Sequence, residues 1–128
     1  MVIDTSALLA IFLAEPERQR FLELIRQDGS RLLSAPTALE TAIVLEARRG
    51  VVAGREFDLF LHRLNVEIVS VDAAQIEVAR AGWRKYGKGR HPAGLNFGDC
   101  FAYALTKISG EPLLAKGDDF PKTDAQCL

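Results

Sequence analysis

Five acidic residues stand where acid is costly. Asp4 closes the apolar run Met1-Val2-Ile3, and Glu40 lies inside Ala38-Leu39-Glu40-Thr41-Ala42. Asp99 opens the run Asp99-Cys100-Phe101-Ala102-Tyr103-Ala104, and Asp118 and Asp119 follow Leu113-Leu114-Ala115. A carboxylate beside a core segment is unfavourable unless it is paired or bound to a metal. Acid converging from several such segments suits a hard divalent cation such as Mg²⁺ or Mn²⁺, which prefers oxygen ligands. Carboxylates holding one or two such ions are a familiar solution for phosphodiester hydrolysis, in which metal orients the attacking water and stabilises charge on the phosphate. Each acid also has an ordinary reading. Asp4 and Asp99 can cap helices, Glu40 can point to water, and Asp118 and Asp119 can be turn residues. The joint arrangement, at strand ends and helix starts, favours a site.

The elements that must bring these acids together are short. Val2 to Asp4 reads as a strand, with Thr5 or Ser6 capping a helix from Ala7 to Ala14. Pro16 starts a second helix whose apolar face is Phe21, Leu22, Leu24 and Ile25, stopped by Asp28-Gly29. Arg31 to Ser34 is a second strand, and Ala35-Pro36-Thr37 opens a helix that runs to about Arg49 and stops at Gly50. In that helix Leu39 and Ile43, beside Glu40, read as buried. Gly54 precedes a helix carrying Phe57, Phe60, Leu61 and Leu64, and Glu67 to Val71 alternates as a third strand. Asp72 caps a helix through Ile76, Val78, Ala79 and Trp83, with Trp83 assigned to the core. Tyr86 to Gly94 reads as a basic, glycine-rich loop. Phe97 to Ser109 is helix, Leu113 to Ala115 a fourth strand, and a turn follows at Gly117. Apolar strands alternating with helices imply right-handed crossovers and an α/β fold with a mainly parallel sheet covered on both faces. Ligands of such sheets bind at the carboxyl ends of the strands. Asp4, Asp118 and Asp119 fall there.

The 128 residues amount to one domain, 1–128, with no linker, internal repeat or low-complexity segment. Hydrophobic residues make up 48% and charged residues 26%, enough for a packed core. With a formal net charge of −1, any attraction to nucleic acid must be local. Cys100 and Cys127 form no metal-binding or disulfide pattern, which fits a reducing cytoplasm. No signal peptide is expected, and no apolar run approaches the roughly 20 residues of a membrane span. Gly87-Lys88-Gly89 lacks the spacing of a phosphate-binding loop, and Ser6 and Ser34 lack the partners of a nucleophilic serine.

Four motifs, in order over nearly the whole chain, resemble those of PIN-domain ribonucleases. They are Val2-Ile3-Asp4-Thr5-Ser6-Ala7, Glu40 in Ala38-Leu39-Glu40-Thr41, Leu95-Asn96-Phe97-Gly98-Asp99-Cys100-Phe101-Ala102-Tyr103-Ala104, and Leu113-Leu114-Ala115-Lys116-Gly117-Asp118-Asp119-Phe120 with its continuation to Asp124. The first and third are strong together; the Glu40 motif is weak alone. The chain is most similar to the VapC toxins of bacterial toxin–antitoxin pairs. That resemblance implies a three-layer α/β/α PIN-like fold and a Mg²⁺-dependent endoribonuclease, with Mn²⁺ possible. It carries Asp4 and Asp99 over as metal ligands and Glu40 as a ligand or positioner of water. Asp119 is favoured as the fourth acid because Asp119-Phe120 matches the recurring pair, with Asp118 as the alternative. Thr5 and Ser6 match a small-hydroxyl position that hydrogen-bonds the acidic pocket and contributes to substrate binding, and Asn96 steadies the loop before Asp99. The resemblance further implies an antitoxin partner laid across the pocket, a homodimer, and a larger toxin–antitoxin complex.

Arg84, Lys85, Lys88 and Arg90 precede the Asp99 helix and suit contacts to RNA phosphates. Tyr86 is placed to stack on an unpaired base. His91 is not assigned as a catalytic base, since a metal-activated water removes the need for one. Two other readings use the same residues: a metal-dependent phosphatase or DNA nuclease, and a non-catalytic nucleic-acid- or partner-binding module.

Overall fold

The computed structural model describes residues 1–128. The elements in chain order are β1 (Val2–Ile3), α1 (Thr5–Phe12), α2 (Arg18–Gln27), β2 (Leu32–Ser34), α3 (Ala35–Arg49), α4 (Val51–Arg63), β3 (Glu67–Val69), α5 (Ala73–Tyr86), α6 (Phe97–Ser109) and β4 (Leu113–Leu114), followed by a 3₁₀ turn at Phe120–Lys122. The four strands form one sheet in the order β3-β2-β1-β4, and all three pairings are parallel. Val2 stands opposite Leu32 on one side and Leu113 on the other, and Ile3 opposite Leu114.

Strands this short work because each residue feeds a different core. Val2 and Leu113 pack with Cys100, Ala102, Leu105 and other residues of the α5–α6 layer. Ile3, Leu33 and Leu114 face the other way, into a core built with Leu8, Ile25, Leu45 and Phe57 from α1 to α4. Successive side chains of a strand point to opposite faces. Near-continuous apolar residues are therefore what a sheet covered on both sides requires. Val2, Ile3, Leu113 and Leu114 are each fully buried, contributing about 1.5–3 kcal/mol apiece. The result is the three-layer α/β/α arrangement. No helix is long and apolar enough to cross a membrane.

Several local expectations shift. Helix α1 begins at Thr5 rather than Ala7, because Asp4, not Thr5 or Ser6, is its N-cap and accepts from the Ser6 amide. Helix α4 begins at Val51, directly after Gly50 at φ +81°, so Gly54 lies inside the helix rather than before it. Leu39 and Ile43 are 63% and 55% exposed, and Trp83 is 42% exposed. None of the three is a core residue. Their apolarity marks a surface, not an interior.

Candidate functional site

The site begins with strand alternation. Asp4 continues β1 in extended conformation, and its amide donates to the Leu114 carbonyl at 2.9 Å. Two residues after Val2, it therefore faces the α6 layer. It is buried, with 5% of its surface exposed. The Ser6 amide and hydroxyl both donate to Asp4 Oδ2, at 3.0 and 2.7 Å. Ser6 Oγ in turn accepts from the Lys116 amide at 2.9 Å. One serine thus ties the end of β1 to the segment leaving β4. Burial still dominates and pushes the Asp4 carboxyl above its ordinary value, despite the bonds from Ser6.

Asp99 arrives on the first turn of α6. Asn96 is the N-cap: its side chain accepts from the Asp99 amide at 2.9 Å, while Asp99 Oδ2 accepts from the Asn96 amide at 3.0 Å. This reciprocal box contributes about 1 kcal/mol to the helix start and fixes the carboxylate's direction. Asn96 steadies the approach to Asp99 as expected. The Asp99 carboxyl is pushed up to about 6, first by burial and then by the negative charge of Asp4, Asp119 and Glu40. That list of neighbours is the clearest sign of convergence, since residues from three other segments bear on one group.

Glu40 reaches the cluster from α3. Its Oε1 accepts from the Thr5 hydroxyl at 2.6 Å. The buried Thr41 hydroxyl donates to the Thr37 carbonyl at 2.9 Å and lies 3.5 Å from Thr5 Oγ1, fixing the far side of the pair. On its other side the Glu40 carboxylate lies over Gly98, where a built Cβ would fall 2.6 Å from Oε2. Asp119 is exposed and bears on Asp99, whereas Asp118 lines a different hollow with Glu17, Arg20 and Lys116. Of the two candidate fourth acids, the structure brings Asp119 to the cluster.

Thr5 and Ser6 are placed beside the acids, but their hydroxyls are committed to Glu40 and Asp4. The basic residues are placed differently. Arg84, Lys85, Lys88 and Arg90 are all exposed, and no ion pair links them to the four acids. The Arg90 guanidinium sits 4.8 Å over the Trp83 ring, and the Lys85 ammonium 5.1 Å over Tyr86. Tyr86 is not the free platform expected of a loop residue. It ends α5, is buried, and packs against His91 and Tyr103. His91 Nδ1 accepts from the Ala93 amide, a turn-stabilising role. Gly98, Thr41 and the Lys116 amide are site elements that the sequence did not single out. For Gly98 the only signal was its place directly before Asp99 in a motif.

The donor set is all oxygen, as a hard cation requires. No three of these acidic groups lie close enough to close a coordination shell by themselves. An ion here would have to be held through one or two carboxylates and completed by waters, a coordination that Mg²⁺ accepts. The uncompensated acid around Asp99 is the deficit such an ion would neutralise.

The PIN domain family matches residues 1–126. Ribonuclease VapC30 of Mycobacterium tuberculosis is 58% identical over 124 residues, covering 97% of this chain and 95% of that protein. A ribonuclease VapC of Mycolicibacterium smegmatis is 56% identical over 128 residues, covering 100% and 99%. Among solved structures, Mycobacterium tuberculosis VapC20, described as a sarcin–ricin loop cleaving toxin, superposes with a TM-score of 0.79 at 20% identity, covering 99% of this chain and 97% of that one. VapBC2 from Rickettsia felis, bound to a DNA fragment from its promoter, gives 0.75 at 16% identity, covering 99% and 95%. At those identities the two structures speak for the fold alone.

Proposed function

Because the chain belongs to the PIN domain family, as a VapC-type toxin endoribonuclease, we propose that Asp4, Glu40, Asp99 and Asp119 form its hydrolytic centre and that residues 1–128 act as one catalytic domain. The observation that carries this reading is the convergence of the charges of Asp4, Asp119 and Glu40 on Asp99. VapC-type ribonucleases of this family depend on a divalent metal; for this chain the ion is Mg²⁺, with Mn²⁺ as a working substitute. When bound, it supplies a Lewis acid for the phosphate and lowers the pKa of a coordinated water.

The residues divide the rest of the work. Asp4 and Asp99, near enough that the charge of the first bears on the second, would hold the ion. Glu40, steadied by Thr5, orients the attacking water from the α3 side. Asp119, exposed at the rim, acts through water. Ser6 keeps Asp4 aimed into the pocket. Arg84, Lys85, Lys88 and Arg90 contact phosphates flanking the cut strand rather than the scissile group. Each such contact on single-stranded RNA adds about 0.7 to the salt slope of binding.

The partners follow the same reading. A cognate antitoxin covers the pocket, in keeping with the VapBC2 assembly of the Rickettsia felis relative. A second copy covers the apolar face formed by Leu39, Ile43, Ile76, Trp83 and Phe97. Phe97, 81% exposed, projects between two hollows of about 320 Å³ each, one toward α3 and one toward α5. A knob flanked by holes on one patch suits a self-complementary twofold contact. The larger toxin–antitoxin complex joins these two interfaces, and the setting is cytoplasmic. The test is induced expression with mapping of RNA ends against an Asp99→Asn control. Purified protein is assayed in parallel on RNA, single-stranded DNA and a small phosphoester, with and without Mg²⁺. Identical RNA ends from wild type and control, or hydrolysis confined to DNA or the small ester, would sink the reading.

A further inference from the structure

We infer that Gly98 is a positioning residue for Glu40, holding open the slot in which the Glu40 carboxylate lies across the start of α6. The inference rests on the reading of Glu40 as part of the hydrolytic centre and adds the element that sets its place.

Two walls define the slot. On one side Thr5 Oγ1 donates to Glu40 Oε1 at 2.6 Å. On the other, a Cβ at residue 98 would lie 2.6 Å from Oε2, 3.1 Å from Oε1 and 3.2 Å from Cδ. Ordinary van der Waals contact begins near 3.4 Å, so the nearer oxygen falls about 0.8 Å short. No other residue type leaves that space. The requirement is not backbone conformation. Gly98 is not among the glycines of positive φ, and it sits at the second position of α6, where alanine is a better helix former. Helix propensity therefore argues against glycine here, and the approach of Glu40 argues for it.

The position amplifies the effect. Residue 98 directly precedes Asp99, and Glu40 is one of the charges that bear on Asp99. A side chain at 98 moves one acid of the cluster relative to another while leaving both chemically intact. Glu40 is at the end of a flexible side chain, so it yields rather than the backbone. The fold survives and the geometry of the cluster does not. Misplacement near 1 Å at a reacting centre, or loss of a group that orients a metal ligand, costs about 10- to 100-fold.

The experiment compares Gly98→Ala, Glu40→Ala and the double variant with wild type and with Gly54→Ala. Gly54 is a control for steric cost, because a Cβ there also meets a glutamate, Glu46, with Oε1 at 2.6 Å and Cδ and Cγ both at 2.8 Å, a tighter contact than at Gly98 and one between α3 and α4. Mn²⁺ affinity is measured by calorimetry on the purified chain, thermal stability in parallel, and cleavage on total cellular RNA at whichever sites the wild type cuts. The expected result is that Gly98→Ala melts no lower than Gly54→Ala, while its Mn²⁺ affinity and its cleavage rate each fall about 10-fold or more. In the Glu40→Ala background the Gly98→Ala substitution has no further effect on Mn²⁺ affinity, as a residue acting only through Glu40 must behave. Wild-type Mn²⁺ affinity and cleavage in Gly98→Ala, with Glu40→Ala impaired, overturns the inference and spares the reading of the acids. An equal loss in both backgrounds also overturns it. If Glu40→Ala itself matches wild type in both measurements, the place of Glu40 in the centre falls, and the inference with it.

Discussion

In the metal-free protein, removing one charge of the acidic cluster should stabilise the fold. Asp99 is held at about 6 in the folded chain against an ordinary 3.8. A folded-state pKa raised above the unfolded one means that the folded chain binds more protons than the unfolded chain between those values. Stability from this group therefore falls as pH rises through that window, and the full penalty stands above about pH 6. A shift of about two units corresponds to roughly 3 kcal/mol. Asp99 is only partly buried, so solvent screening reduces this to about 1.5 kcal/mol. Asp99→Asn removes the charge but keeps an oxygen to accept from the Asn96 amide, so the capping box persists. Loss of a favourable acid at the helix start returns about 0.5 kcal/mol. The net expectation in EDTA at pH 7.5 is a gain of about 1 kcal/mol, or roughly 3–5 °C in melting temperature. The gain should shrink as pH is lowered through that window and be small at pH 4, where Asp99 is protonated in the folded chain and only about half ionised in the unfolded one. Saturating Mn²⁺ should reverse the order, since the wild type then gains binding energy that the variant lacks. Urea unfolding at pH 7.5, 6 and 4, with EDTA or Mn²⁺, measures all of this. An Asp99→Asn protein no more stable than wild type in EDTA at pH 7.5 would refute the claim that the acids crowd one another without a counter-ion.

Asp119→Asn should lower RNA cleavage and weaken Mn²⁺ binding, while Asp118→Asn leaves both within twofold of wild type; parallel calorimetry and cleavage assays read the difference. Thr5→Val removes the donor to Glu40 at nearly constant volume. It should cost about 1 kcal/mol in urea unfolding, while cleavage falls about 10- to 100-fold. Phe97→Asp should convert a dimer to a monomer in light scattering without changing the melting profile of the monomer, because the side chain is 81% exposed and supports no core; a dimer that persists places the contact elsewhere.

Much of the fold was legible because its signals are local. Continuous apolar residues at Val2-Ile3 and Leu113-Leu114 indicated strands buried on both faces, and the helix from Phe97 to Ser109 was legible, although its N-cap is Asn96 and not Asp99. The candidate site was legible to the extent that its acids sit next to those signals. Other features depend on packing across the chain. Leu39, Ile43 and Trp83 follow helical spacing yet lie outside, since apolar periodicity does not say whether a face meets a core or another molecule. Tyr86 looked like loop because glycine and charge follow it, but the chain folds back so that Leu95 donates to the Tyr86 carbonyl and buries the ring. The slot at Gly98 needs the α3–α6 approach, which no window along the sequence contains.

The sheet order explains why the site needs both ends of the chain. β1 lies between β2 and β4, so its carboxyl end is flanked by segments from the first third of the sequence and from close to its end. Parallel register then leaves little freedom. With Ile3 opposite Leu114, the Asp4 amide must meet the Leu114 carbonyl, and Lys116 must arrive beside Ser6. Two ladder residues and one serine hydroxyl place Asp119 within reach of Asp99. The acids are electrostatically unfavourable neighbours, so nothing in their own interaction draws them together. What assembles them is the burial of Val2, Ile3, Leu113 and Leu114 on both faces of the sheet. Roughly 1.5–3 kcal/mol from each of those side chains outweighs a penalty of about 1.5 kcal/mol at Asp99. The apolar core thus holds like charges side by side, and a site arranged by the core rather than by the ion would let a bound ion act without reorganising the protein.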